Sequence, residues 1–230
     1  IGNPQHRALA REAVRKSQVL LKNQDTLPLR RGQHLRVAGS HADDLGLQSG
    51  GWTLVWSGFQ GDNARLPGGT SILAGLRQIG GDTTRIDYSA NGDFTGPPAD
   101  VALVLIGEPS YAEWLGDRDA QGLRLSPQDQ ALIAKMRPLA GKLVLVLVTG
   151  RPLILNQALA ASDALVVAWL PGSEGAGVAD TLFGEAPFTG RLPYAWPRDA
   201  QGLMPASTPP AERQPNLLYD YGYGLSIVKS

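Results

Sequence analysis

Four apolar runs, each nearly unbroken and rich in β-branched residues, constrain this chain more than any other feature. They read LRVAGS (35–40), VALVLIGE (101–108), LVLVLVTG (143–150) and ALVVAWLPG (164–172). A strand with one wetted face alternates apolar and polar residues. These runs do not alternate, so each is expected to be covered on both faces, as in parallel sheets flanked by helices. TRIDYS (84–89) is a weaker run of the same kind.

Helical patterns lie between the runs. GTSILAGLRQIGG (69–81) places Ile72, Leu73, Leu76 and Ile79 on one side and stops at two glycines. SPQDQALIAKMRPLAG (126–141) opens with Ser126 as a cap, Pro127 in the first turn and Asp129 three residues after the cap. RPLILNQALAA and SEGAGVADTLFG complete the set. At the start of the chain Asn3 can cap a helix that begins with Pro4. Its apolar or small face carries Leu9, Ala10, Ala13, Val14, Ser17, Leu20 and Leu21, with Arg7, Arg11, Arg15 and Lys22 on the other side. This helix is expected to end near Asn23.

Strands alternating with helices imply the α/β class. The expected architecture is a three-layer α/β/α sandwich around a mostly parallel sheet of about six strands with one antiparallel edge strand. The antiparallel strand is expected at RLPYAW (191–196). The expected division is an opening helix over 1–24, the sandwich over 25–195 and an irregular, proline-rich extension over 196–230.

Composition limits the partners. Basic and acidic residues number 21 each, for a formal net charge of zero, which gives bulk electrostatics no hold on nucleic acid or a membrane surface. Cysteine is absent, which excludes disulfides and thiol catalysis. His6, His34 and His41 have no zinc-ligand spacing, and no metal or cofactor is expected. No apolar run has the length of a membrane span or the pattern of a signal peptide. The first residue is Ile1 and a helix pattern starts at once, so the chain is read as a piece of something longer.

In open parallel sheets ligands bind at the carboxyl ends of the strands. Two long loops sit there. HADDLGLQSGGWTLVWSGFQGDNARLPGG (41–69) is glycine-rich and holds Trp52, Val55, Trp56 and Phe59 close together. Loops of this length in a compact domain are usually functional or disordered, and the aromatics argue against disorder. The faces of its tryptophans suit the C–H face of a sugar, stacked bases, a partner domain or plain packing. The second loop follows the run at 101–106 and carries Glu108, Glu113, Asp117 and Asp119 among Tyr111 and Trp114. A carboxyl group beside aromatic rings is partly desolvated and its pKa rises, as a general acid requires. Composition alone does not choose among the four acids. A third feature, LPGSEGAGVAD, has glycines at 172, 175 and 177 in the order G-x-x-G-x-G, not the dinucleotide order G-x-G-x-x-G. It reads as glycines for tight packing, with a nucleotide site as the weaker alternative.

Several stretches together resemble the second, carboxyl-side domain of family 3 glycoside hydrolases, the exo-acting β-glucosidases and β-glucan glucohydrolases. They are HRALAREAVRKSQVLLKN, AWLPGSEGAGVADTLFGEAPFTGRLPYAWP and YDYGYGLS, with GGWTLVW resembling the glucan exo-hydrolase branch in particular. The similarity covers nearly the whole chain. It implies a β-glucoside or β-glucan oligosaccharide as substrate, and a TIM-like barrel domain carrying an aspartate nucleophile as partner, with the helix over 1–24 as the link from that barrel. GEPSYAEWLGD is similar to the loop that supplies the acid/base in the exo-hydrolase branch, and the resemblance puts Glu113 in that role. Trp56 matches a tryptophan that stacks against the sugar in the outer subsite, with Trp52 as its neighbour.

The barrel and its nucleophile motif have no counterpart in this sequence. The chain is therefore either a fragment of a longer enzyme or half of a two-chain assembly, and is expected to be inactive alone. A non-catalytic carbohydrate-binding or interaction module using the Trp52/Trp56 loop is the alternative. The resemblance implies a periplasmic or secreted location. It also implies an exposed apolar surface where the barrel would sit.

Overall fold

The computed structural model describes residues 2–111, 116, 121–199 and 216–227. Six strands form one sheet: β1 (Val19–Asn23), β2 (His34–Ala38), β3 (Arg85–Tyr88), β4 (Ala99–Gly107), β5 (Ala140–Val148) and β6 (Ala164–Val167). Their order is β1-β6-β5-β4-β2-β3. Every neighbouring pair is parallel except β1 with β6. The four strong runs thus lie side by side and parallel, as expected.

Side chains on the central strands alternate between two cores. Val101, Leu103 and Leu105 of β4 join Val144 and Val146 of β5 on one face, under α1 (Pro4–Ser17), α3 (Ile72–Gly80) and α6 (Ala176–Leu182). Ala102, Val104 and Ile106 join Leu143, Leu145 and Leu147 on the other face, under α4 (Pro127–Met136) and α5 (Asn156–Ala161). This double burial explains why β4 and β5 are apolar at every position over 101–106 and 143–148. The helix signals also hold. Ser71 and Ser126 accept from the amides of Ala74 and Asp129, and α3 stops at Gly81, whose φ is 64°. Gly81 has no Cβ to resist that conformation.

Three expectations need correction at the edges. The opening helix ends at Ser17, not near Asn23. Gln18 leaves the helix with φ −59° and ψ 128°, and Val19–Asn23 pairs with β6 as the antiparallel edge strand. A short apolar run such as VLL fits either a helix face or a strand, and the open edge of β6 decides. The antiparallel strand of the sheet therefore comes from the amino-terminal side and not from RLPYAW. Trp196–Pro197 (β7) pairs instead with Leu217–Tyr219 (β8) in a separate two-stranded sheet. Trp196 is fully buried and donates its indole N–H to the Leu153 carbonyl at 2.7 Å, which fixes the tail against the sandwich.

The third correction concerns the face of α1. Leu9 is exposed, whereas the arginine row docks on α6. Arg11 grips the buried Asp180 through two nitrogens at 2.7 and 2.6 Å, and Arg15 adds a third contact. Arg7 reaches the buried Glu174 and the hydroxyl of Thr70. Burial would raise the Asp180 pKa, but hydrogen bonds and charge from Arg11 and Arg15 outweigh it and hold the carboxyl below its ordinary value. Glycines make this docking close. A Cβ on Gly177 would sit 2.8 Å from Val14, and one on Gly175 would sit 2.5 Å from the Ile72 amide nitrogen. The glycine-rich turn is thus the seam where α1, α3 and α6 meet.

Candidate active site

The carboxyl ends of β2, β4, β5 and β6 all deliver residues to one cavity of about 290 Å³. It is lined by Gly51, Trp52, Trp56, Glu108, Tyr111, Arg151 and Leu170, among others. A larger cavity of about 710 Å³ lies near Pro28, Gly184, Phe188 and Ile227. It is away from those strand ends, and among the described residues Glu185 is the one carboxylate that lines it. The smaller cavity is therefore the chemical candidate.

The tryptophan loop is held by polar side chains at its base. Short helix α2 (Leu45–Ser49) is capped by Asp44, which accepts from the amides of Gly46 and Leu47. The other oxygen of Asp44 accepts from Gly61 further along the loop, at 2.7 Å. Gln48, fully buried, donates to the Gly172 carbonyl and accepts from the Ile72 amide, tying the loop to the turn after β6. On this base the chain turns back at Trp52, whose amide donates to the Trp56 carbonyl at 3.1 Å. Both indoles remain in solvent, with 73% of Trp52 and 44% of Trp56 exposed. With Leu54 and Leu170 they are exposed apolar residues on the carboxyl rim.

Glu108 opens the second loop. Its carboxylate accepts from Arg151 Nε at 3.2 Å and from Arg151 Nη2 at 2.7 Å, with the Thr149 hydroxyl 2.9 Å away. The Arg151 guanidinium also lies over the Tyr111 ring, 4.8 Å from its centroid. Beneath this group His41 is buried, with Nε2 3.4 Å from the Glu108 carbonyl and Nδ1 3.0 Å from the Ser40 hydroxyl. Burial lowers the His41 pKa to about 4, against the opposing effect of the Glu108 carbonyl. The ring is therefore neutral near pH 7.

Trp52 and Trp56 thus come together at one cavity with Glu108. Glu113, like Trp114, Asp117 and Asp119, lies outside the described residues. Sequence reasoning missed Arg151. The signal was available: a cation two residues past the strand run LVLVLVT, at the rim where the acids gather.

The family model for the glycosyl hydrolase family 3 C-terminal domain matches residues 18–227. The chain belongs to that family. Several β-glucosidases are similar over most of its length. A lysosomal β-glucosidase of Dictyostelium discoideum is 35% identical over 86% of this chain and 26% of its own length. A periplasmic β-glucosidase of Salmonella typhimurium is 29% identical over 97% of this chain and 35% of its own. Among solved structures, the exo-1,3/1,4-β-glucanase ExoP of a Pseudoalteromonas species is 40% identical with a TM-score of 0.84, covering 98% of this chain and 29% of that one. The chain spans about a quarter to a third of the length of these proteins.

Proposed function

We propose that this chain is the second domain of an exo-acting, retaining β-glucosidase or β-glucan glucohydrolase. In this reading Glu113 is the general acid/base, and Trp56 with Trp52 forms part of the outer sugar subsite. The nucleophile belongs to a barrel domain outside these residues. A periplasmic or secreted location is part of the proposal, in keeping with one relative named periplasmic and another lysosomal.

The observation that carries this reading is the state of Glu108. It is the only carboxylate among the described residues of the cavity, and its oxygens are engaged by Arg151 and Thr149. One oxygen accepts from Arg151 Nη2 and the other from Arg151 Nε and the Thr149 hydroxyl, so both are committed to a planar fork within the protein. Glu108 thus reads as part of the scaffold, and the proton-transfer role falls to another acid of the same loop. Retaining hydrolysis needs two carboxyl groups about 5–5.5 Å apart, one attacking the anomeric carbon and one protonating the leaving oxygen before activating water. The second must cycle its proton, so its pKa must lie nearer neutrality.

The test uses the full-length enzyme. Glu113→Gln should lose about 10²–10⁴-fold on substrates with poor leaving groups, the usual contribution of general acid catalysis. Aryl glucosides with good leaving groups should suffer less, and azide should partly restore turnover by replacing the water that Glu113 would activate. Equal losses on both substrates without azide rescue would remove Glu113 from the role. Sugar binding by the isolated chain, in a parent protein without any glycosidase activity, would favour the binding-module reading.

A further inference from the structure

Arg151 does more than neutralise Glu108. Its Nη2 reaches Glu108 at 2.7 Å and also the Gly122 carbonyl at 3.3 Å. Glu108 directly follows β4, and Gly122 lies in the turn at 121–123 that precedes α4. One nitrogen therefore touches both ends of the 108–122 segment. The guanidinium plane lies over Tyr111, on the outgoing side. Just past Gly122 the chain is laid against the stretch that follows Arg151: Arg124 and Ile154 form a parallel bridge, and the Ile154 amide donates to the Leu123 carbonyl at 2.8 Å. The pair is sheltered, with side-chain exposures of 22% for Arg151 and 14% for Glu108, so salt and solvent weaken it less than a surface ion pair.

We infer that Arg151 is a positioning residue for catalysis: it fixes the separation and orientation of Glu108 and Gly122, which flank the sequence that carries Glu113. This rests on the reading that the segment carries the acid/base, Glu113. Lysine cannot replace it, because a single ammonium lacks the planar fork that holds both Glu108 oxygens while also reaching Gly122. The cation does not touch the reacting atoms. It acts through the two chain ends, and misplacement of a catalytic group by about 1 Å can cost on the order of 10²-fold.

The experiment compares Arg151→Ala, Arg151→Lys and Glu108→Gln in the full-length enzyme, on an oligosaccharide and on an aryl glucoside with a good leaving group. If the inference holds, Arg151→Ala lowers kcat about tenfold or more further on the oligosaccharide than on the aryl glucoside, since general acid catalysis matters most for poor leaving groups. Added guanidinium ion restores part of that loss in Arg151→Ala and not in Arg151→Lys. Glu108→Gln, which keeps the shape but weakens one arm, shifts the substrate ratio in the same direction by less. Equal losses on both substrates, no rescue by guanidinium, or wild-type kinetics in Arg151→Ala would each overturn it. Should Arg151→Ala fail to fold, an unchanged substrate ratio in Glu108→Gln overturns it. The Glu113→Gln azide test is run in parallel. Failure there removes the acid/base reading and this inference with it, whereas rescue there with an unchanged ratio in Arg151→Ala removes this inference alone.

Discussion

Trp52 and Trp56 stand with ring centroids 6.2 Å apart and planes inclined by 55°, and Trp52 reaches that position from a left-handed backbone, φ 58°. A bulky residue in that region is an outlier, with a cost of about 1–3 kcal/mol. Such strain persists where the surroundings enforce it, and it clusters at functional sites.

The two rings should therefore separate binding from stability. Trp56→Ala in the full-length enzyme should raise KM for an oligosaccharide about 10–100-fold, the affinity equivalent of losing an aromatic contact worth about 1.5–3 kcal/mol. KM for a short aryl glucoside that does not reach the outer position should change little. Trp52→Gly relieves the backbone strain and should leave the melting temperature unchanged or higher while weakening oligosaccharide binding. A lower melting temperature with unaltered KM would make Trp52 a packing residue.

Asp180 is buried between two arginines that keep partial access to water. Removing the arginines should therefore cost more than removing the acid. The double variant Arg11→Ala/Arg15→Ala strands a buried carboxylate, and breaking such a pair costs about 3–5 kcal/mol. Asp180→Ala frees arginines that can rehydrate, so its loss should be smaller. The Asp180 pKa is lowered by folding. Its stabilising contribution is thus complete above the unfolded value of about 3.9 and is lost as pH falls through the folded value. Chemical denaturation of the three proteins between pH 2.5 and 7 checks both claims; equal losses would show that the arginines supply nothing the acid needs.

His41 acts in a higher pH window. Its folded pKa is lowered from 6.5 to about 4, so the unfolded chain takes up a proton in this window before the folded one does. Stability should fall as pH drops from 6.5 to 4, by an amount on the order of 3 kcal/mol, and this group adds no slope outside the window. His41→Gln should flatten that segment of the stability profile. An unchanged slope in the variant would assign it to other groups.

Gly107 ends β4 where a Cβ would lie 1.7 Å from the Val148 carbonyl oxygen and 3.1 Å from His41 Nε2. Backbone on the facing strand cannot give way cheaply, so Gly107→Ala should displace Glu108 and the loop behind it. The expected outcome is a loss of activity larger than the loss of stability, read from kcat and the melting temperature of the full-length enzyme. A well-folded variant with normal kcat would show that the close approach has no bearing on the site.

The core of the fold was legible because its strands are buried on both faces, and only uninterrupted apolar runs satisfy that demand. Capping serines, prolines in first turns and terminal glycines then set most helix limits. The edges were not legible. VLL at 19–21 satisfies a helical stripe as well as a strand, and the vacancy beside β6 that decides between them is a property of the assembled sheet. The face of α1 failed for a related reason: a row of arginines reads as a wetted surface unless its buried acids, Glu174 and Asp180, are known to stand opposite. In the site, the tryptophan pair could be seen in the sequence because both members share one loop. Arg151 was harder to see, since many positions separate it from Glu108 and only adjacent parallel strands bring the two together.

The reversed direction of β1 also fixes where the chain arrives. Val19, its first residue, pairs with Val167 at the far end of β6, and the Gln18 side-chain amide donates to the Ala168 carbonyl at 3.2 Å. The polypeptide thus joins the sheet at the same rim that carries the tryptophans and Glu108. A parallel first strand would bring it in at the opposite rim, about 16 Å away for five residues of strand. The chain leaving α1 therefore meets the sheet on the side of the tryptophan loop, and one inverted edge strand replaces what would otherwise be a connection running the height of the sheet.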